Sequence, residues 1–273
     1  MTTALVHPVT GRKLGRTRPP PIAERRMHLP FNRYVKANLP KAPARTNYRA
    51  KAMAGLGRVY LNDTLGDCTA AGAFHIEGVW RANAGAPTTF SDSQVEAFYS
   101  GSTGYVPGNA ATDNGGNEIQ VLDYWRDHGL IGGQSKILGH LSVDAGNLEH
   151  LRLAVFLFEH GYGGAELPDV SVNSGVPENS GGRWDLSGAP NQENGHCPPI
   201  VDIENDDFVY STWGMWLLGS AKDTARLFVP ENGGEMHVAV SADMLNKVTL
   251  KAPSGFDIGQ LRADLAAIGT PEA

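Results

Sequence analysis

The 273-residue sequence has only two cysteines, Cys68 and Cys197, 129 positions apart. Two thiols cannot build a disulfide framework, and so sparse a use fits a reducing compartment or a particle assembled in one. No run of 18 apolar residues occurs, which excludes a membrane-spanning helix of the usual kind. Met1–Arg16 lacks an apolar stretch, so no secretory signal is expected and the place expected is the cytoplasm or a virion. The glycines show no phosphate-loop spacing. No close pairs of Cys or His offer a zinc site, and a site made from His196, Cys197 and Cys68 is disfavoured on that ground. Neither a metal nor an organic cofactor is expected. Acid is almost missing from the first 51 residues, where Glu24 stands alone.

What is present bounds the rest. Hydrophobic residues make up 41% and charged residues 19%, enough to bury a sizeable core. The net charge of −6 hides a split: residues 1–51 hold twelve of the 23 basic residues and are +11, leaving −17 on the remainder. Seven prolines fall in residues 1–50, a density that excludes a long helix or a central strand. Residues 1–50 therefore read as an extended basic arm, and residues 51–273 as the folded domain. Such an arm can dock on its own acidic body, on an acidic partner protein, or on nucleic acid. No aromatics interleave with its arginines, and the body is strongly acidic, so nucleic acid is the weaker reading.

Helices are legible from caps and periodicity. Thr69 to Ala82 carries alanines, Phe74, Ile76 and Val79-Trp80 at near-helical spacing. Ser91 with Gln94 forms a capping box that opens a helix to about Tyr99. Asn117 to His128 is closed by Gly129. Asn147 caps Leu148 to Glu159, and Asp257 with Gln260 opens a last helix to about Ile268. Gly163–Leu167, Pro199–Ile203, Phe208–Thr212 and Met236–Ser241 read as strands, with a hairpin at Asn205-Asp206-Asp207. The long polar loop between Val172 and Gly195 is expected to be functional or mobile. Helices first and strands later indicate an α+β fold. Asp113-Asn114-Gly115-Gly116 reads as a turn, the acidic cluster Glu204 to Asp207 as a solvated hairpin tip, and Trp213 and Trp216 as packing beside His196.

Cys68 carries the sharpest chemistry. It stands at the first turn of a buried helix, where unpaired N–H groups and a partial positive charge favour a thiolate. The same N–H groups can hold an oxyanion. His196 starts a strand after the flexible loop, and a hairpin returns through Ser211-Thr212-Trp213-Gly214. A thiol, an imidazole and a group that orients the imidazole form the general set for a cysteine nucleophile.

Asn62 to Ala70, Gly195-His196 and Ser211 to Gly214 resemble the motif blocks of papain-like cysteine peptidases. The chain resembles still more closely an uncharacterised papain-like group of phages, prophages and bacteria. Leu61 to Thr69, Asp113-Asn114-Gly115, Leu122 to Arg126, Gly195-His196, Thr212 to Gly214 and Gly255-Phe256-Asp257 carry that likeness. The resemblance implies a helical half bearing the Cys and an antiparallel β half bearing the His. Cys68 would be the nucleophile and His196 the base. Asn62 stands at the oxyanion position, where the family has Gln, and Ser211 at the third-member position, where the family has Asn. Thr212 is an alternative orienter, and Asp67 and Trp213 are flanking binding positions. Cys197-Pro198-Pro199 departs from the pattern, and a Cys68–Cys197 disulfide would silence the thiol. Two readings follow. One is a thiol hydrolase of amides or esters; the other is a silent virion component that docks through its arm onto capsid or other virion proteins.

Overall fold

The computed structural model describes residues 12–36 and 39–268. The reading of Met1–Arg16 as lacking a leader falls mostly outside them. Nine helices occur among the described residues: α1 (Met53–Leu56), α2 (Cys68–Asn83), α3 (Asp92–Thr103), α4 (Glu118–His128), α5 (Leu148–Phe158), α6 (Asp169–Val172), α7 (Ala221–Leu227), α8 (Ala242–Lys251) and α9 (Ile258–Ala267). The strands are β1 (Ile137–Val143), β2 (Tyr162–Glu166), β3 (Arg183–Trp184), β4 (Gly195–His196), β5 (Ile200–Glu204), β6 (Asp207–Thr212), β7 (Met215–Ser220) and β8 (Glu235–Ser241). They form two four-stranded sheets, in the orders β1-β8-β2-β4 and β3-β7-β6-β5. All pairings are antiparallel except β3 with β7. None of the helices is long and apolar enough to cross a membrane.

Local chemistry starts the helices where the caps predict. The Ser91 hydroxyl accepts from the Gln94 N–H while the Gln94 side chain accepts from the Ser91 N–H, a reciprocal capping box. Asn117, Asn147 and Asp257 cap α4, α5 and α9 in the same way, each accepting from the N–H three residues on. At the end of α5 the left-handed residue is Glu159, with φ of 64°. Its carboxylate is held by Lys247 at 3.2 Å and Lys251 at 2.5 Å, which ties α5 to α8. The hairpin expected at Asn205 joins β5 to β6, with Glu204 opposite Asp207. The loop from Val172 to Gly195 is packed rather than loose. Trp184 is buried, and its indole N–H donates to the Ser171 carbonyl at 2.7 Å.

The arm is extended and broken by short 3-10 turns, as its prolines require. It docks on its own body. Leu14, Met27, Leu29, Phe31 and Tyr34 are buried in the same core as the helices and sheets. Its cations find the acids of the body: Arg16 with Glu118, Arg18 with Glu166, Arg25 with Glu235, Arg26 with Asp127, Arg33 with Asp264, Lys36 with Asp257 and Arg49 with Asp202. The hairpin tip at Glu204 to Asp207 is not simply solvated. Arg45 and Arg49 both pair with Glu204, and the Asn205 N–H donates to the Ala44 carbonyl. Fold and arm together thus neutralise the charge split seen in the sequence.

Candidate active site

The loop Tyr60–Asp67 delivers Cys68 to the first turn of α2. Tyr60 and Leu61 both take left-handed backbone, with φ of 55° and 69°. Non-glycine residues adopt it rarely and at a cost, so the curl must be held by its surroundings. It returns the chain so that the Asn62 amide donates to the Leu65 carbonyl at 3.3 Å. Asp113 anchors the same loop from outside. Its carboxylate accepts from the Gly66 N–H at 3.1 Å and from the Tyr99 hydroxyl at 2.6 Å. The Asp113–Gly116 turn is therefore a buttress of the nucleophile loop.

His196 is delivered by β4, which pairs with β2 through Ala165. Its Nε2 lies 2.6 Å from the Thr212 hydroxyl, and its ring stacks on Trp213 with centroids 4.5 Å apart and planes 12° apart. Trp213 and Gly214 form the two-residue turn between β6 and β7, both with positive φ. That turn places the indole over the imidazole. Trp216 lies elsewhere, under the Arg49 guanidinium. Ser211 is buried, and among the described residues its hydroxyl has no hydrogen-bond partner. The hydroxyl that meets the imidazole is thus Thr212, the alternative position, and not Ser211.

Cys68, His196, Asn62, Ser211, Thr212 and Trp213 line one cavity of about 10 Å³. Asp67, the residue before the nucleophile, is fully buried outside it. Cys68 and Cys197 are both free thiols, so the disulfide alternative is not realised. Among the described residues no group of three or more His, Cys, Asp or Glu is placed to hold a metal.

Such a cavity holds at most about one water, because the arm fills the seam. The Gly15 and Arg16 N–H groups both donate to the Gly195 carbonyl, at 3.1 and 3.0 Å. On the other wall the Gly116 N–H donates to the Gly15 carbonyl, and the Thr17 N–H to the Gly116 carbonyl, each at 2.9 Å. The Trp213 indole N–H donates to the Lys13 carbonyl at 3.1 Å, and the Arg12 guanidinium lies over the Trp213 ring. Gly15 passes so close to the nucleophile loop that a Cβ there would run into the Gly66 carbonyl. Between Lys13 and Gly15 the arm therefore crosses from the His196 side to the Cys68 side.

Closure sets the electrostatics. The helix terminus predicts a lowered thiol pKa at Cys68, but burial outweighs it and pushes the thiol up; the Asp67 and Glu118 charges add to this, and only the Cys197 backbone and the Arg16 charge favour the thiolate. Burial lowers the His196 imidazole to about 3, and the nearby Arg12 charge adds to this. Burial likewise pushes the Asp67 carboxyl well above its usual range. The arm-covered pair is thus a neutral thiol and a neutral imidazole.

Solved structures with the same architecture identify the frame. Xylellain, a cysteine protease from Xylella fastidiosa, superposes with a TM-score of 0.59 over 85% of this chain and 97% of its own, at 13% identity. The fold is papain-like. Digestive procathepsin L 3 from the larval midgut of Tenebrio molitor matches with a TM-score of 0.55 at 14% identity, over 79% of this chain and 74% of its own. Procathepsin L2 from the same source matches with a TM-score of 0.55 at 13% identity, over 83% and 78%. No protein-family model and no curated protein matches the sequence. Within the papain-like frame, sequence reasoning missed the arm residues Arg12 to Arg16 and their receptor Glu118. Leu14 is the one signal in that stretch, an apolar residue among cations, and it is fully buried.

Proposed function

We propose that the protein is a cysteine hydrolase of amide or ester bonds, held closed by its own arm. The observation that carries this reading is the convergence of Cys68 at a helix N-terminus and His196, oriented by Thr212 and Trp213, on one cavity. With the cleft open to water, the desolvation that keeps both groups neutral is relieved, and the thiol proton passes to the imidazole. The thiolate adds to the carbonyl carbon. The oxyanion is held by the Cys68 N–H and by the Asn62 amide, which turns to it from the Leu65 carbonyl and the Asp67 carboxyl that it meets in the closed state. The imidazolium then protonates the leaving amine or alcohol as its bond to carbon breaks. Water hydrolyses the remaining thioester and restores the thiol.

The experiment is hydrolysis of peptide and ester substrates in a Gly15→Val background, which cannot seat the arm. Activity that appears there and disappears with Cys68→Ala or His196→Ala supports the reading. An open cleft whose hydrolysis is indifferent to both changes sinks it.

One observation favours a second reading, a catalytically silent scaffold. The arm that covers Cys68 is anchored by core residues such as Leu14, Phe31 and Tyr34, as a permanent strap would be. The motif blocks shared with the phage, prophage and bacterial group support a virion setting for either reading. Docking of the arm onto a virion protein would have to compete with the ion pairs it makes to its own body, so we place its first role there.

A further inference from the structure

Arg16 leaves the arm sideways into a well between the start of α4 and the β2 and β8 strands. Its side chain is 1% exposed, and that of Glu118, at the start of α4, is 0% exposed. The Arg16 Nε donates to Glu118 Oε1 at 2.9 Å, and Nη1 donates to the Gly233 carbonyl. Gly164 forms another side of the well, where any Cβ would fall on the Glu118 carboxylate and the guanidinium. Glu235 adds its charge to the field at Arg16. Among the described residues, Glu118 Oε2 and Arg16 Nη2 are both buried without a hydrogen-bond partner. Emptied of its cation, the well would expose a desolvated carboxylate to the cleft, which calls for another cation. A planar fork of donors fits a carboxylate and a carbonyl together; an ammonium on a flexible stem fits less well.

The backbone pairing beside the well is independent of side chains. Gly195 and Gly116 offer a carbonyl and an N–H–carbonyl pair that any extended peptide can meet. Two residues along, Arg18 donates to both oxygens of Glu166, at 2.5 and 2.9 Å. An extended chain points residues i and i+2 the same way, so the cleft offers two acidic places in strand register.

We propose that the Glu118 well is the side-chain specificity subsite of the cleft and takes the guanidinium of an arginine in an extended substrate peptide, a place Arg16 fills while the arm is seated. The inference rests on the hydrolase reading above. It names the substrate class as basic peptides, with arginine at the well and a second arginine favoured at Glu166.

The test uses the full chain carrying Cys68→Ala and a site-specific protease sequence inserted between Ala23 and Glu24, in an exposed turn. After cutting, both pieces remain, and a fluorescent peptide of residues 12–18 is offered in excess and followed by anisotropy. Citrulline in place of Arg16 keeps the shape and removes the charge, and should weaken binding about 100-fold. Lysine there should cost about tenfold, and citrulline in place of Arg12 less than about threefold. Glu118→Gln should shrink the arginine-over-citrulline preference to less than about fivefold. Equal binding of the arginine and citrulline peptides overturns the proposal. So does an arm piece that never exchanges, which would make the well a fixed clamp. Because Cys68 is absent from this measurement, its failure leaves the hydrolase reading standing. Inert Cys68 in the open enzyme, with arginine still preferred, would instead sink the hydrolase reading alone.

Discussion

At the scale of single residues, the site departs from what its motifs predict at one position, and the departure is testable. Thr212, not Ser211, meets the His196 Nε2. Side chains alternate along a strand, so neighbours on β6 cannot both face the imidazole in the same way. Thr212→Val should therefore lower kcat in the opened enzyme at least about tenfold, since it frees the general base to rotate. Ser211→Ala, which removes a hydroxyl without a partner, should change kcat less than about twofold and leave stability the same or higher. The reverse order of effects in steady-state kinetics would return the orienting role to Ser211. Cys68 was legible from its turn and helix start, whereas Asn62 and His196 were legible through the motif blocks that resemble those of papain-like peptidases. Thr212 was visible only as an alternative, since strand register decides which of two adjacent hydroxyls turns inward.

At the scale of elements, the arm is a strap whose hold is concentrated. Arg18, Arg26, Arg33, Lys36 and Arg45 keep side chains 51–65% exposed, so their ion pairs contribute at most about 1 kcal/mol each. The Arg16–Glu118 pair is of another kind. Arg16→Ala strands the Glu118 carboxylate and should cost about 3–5 kcal/mol in denaturant unfolding, whereas Arg16→Met combined with Glu118→Leu should come close to neutral. Equal losses for the single and double changes would show that packing, not charge, holds this point. Capped helices such as α3, α4, α5 and α9 could be read ahead because each cap is a contact over three residues. The strands β1 and β7 could not. Ile137-Leu138 puts two apolar residues side by side and Gly139-His140 follows them, while β7 reads as an unbroken apolar run followed by Gly219-Ser220, so neither sequence shows the period of two. The path of the arm was illegible for a different reason. Its contacts with Glu118, Gly195 and Trp213 span 100 to 200 residues, and charge segregation announces docking without saying where.

At the scale of the whole molecule, burial of neutral histidines makes stability fall toward acid. Burial lowers His75 to about 3, His160 to about 4 and His196 to about 3, from an ordinary value near 6.5. Below pH 6.5 the unfolded chain binds protons that these rings refuse in the folded state. Stability should therefore drop as pH falls from about 6.5 to about 4, each ring adding a slope of up to about 1.4 kcal/mol per pH unit. The buried Asp67 carboxyl, pushed up by burial, acts in the opposite sense over the same range, so the expected drop is the three rings less this one group. Urea midpoints in an Asp67→Asn background isolate the rings, and a flat profile there would mean that they are hydrated or charged in the folded protein. His196 differs from the other two because the arm is part of its cover. Displacing the arm should return its NMR titration toward 6.5, while His160, packed against Trp80 away from the cavity, stays where it is.

If the arm closes a competent thiol site, the alkylation rate of Cys68 depends on whether the arm is seated. Iodoacetamide labelling at neutral pH, resolved from Cys197 by peptide mass spectrometry, is measured in the wild type and in Gly15→Val. Wild-type Cys68 should react at least about 100-fold more slowly than free cysteine, because labelling must wait for opening. Cys68 in Gly15→Val should react faster than free cysteine, with the excess lost in His196→Ala. A wild-type Cys68 that labels like free cysteine would show that the arm does not close the site, and an opened Cys68 that labels no faster than free cysteine would show that the thiol is not activated.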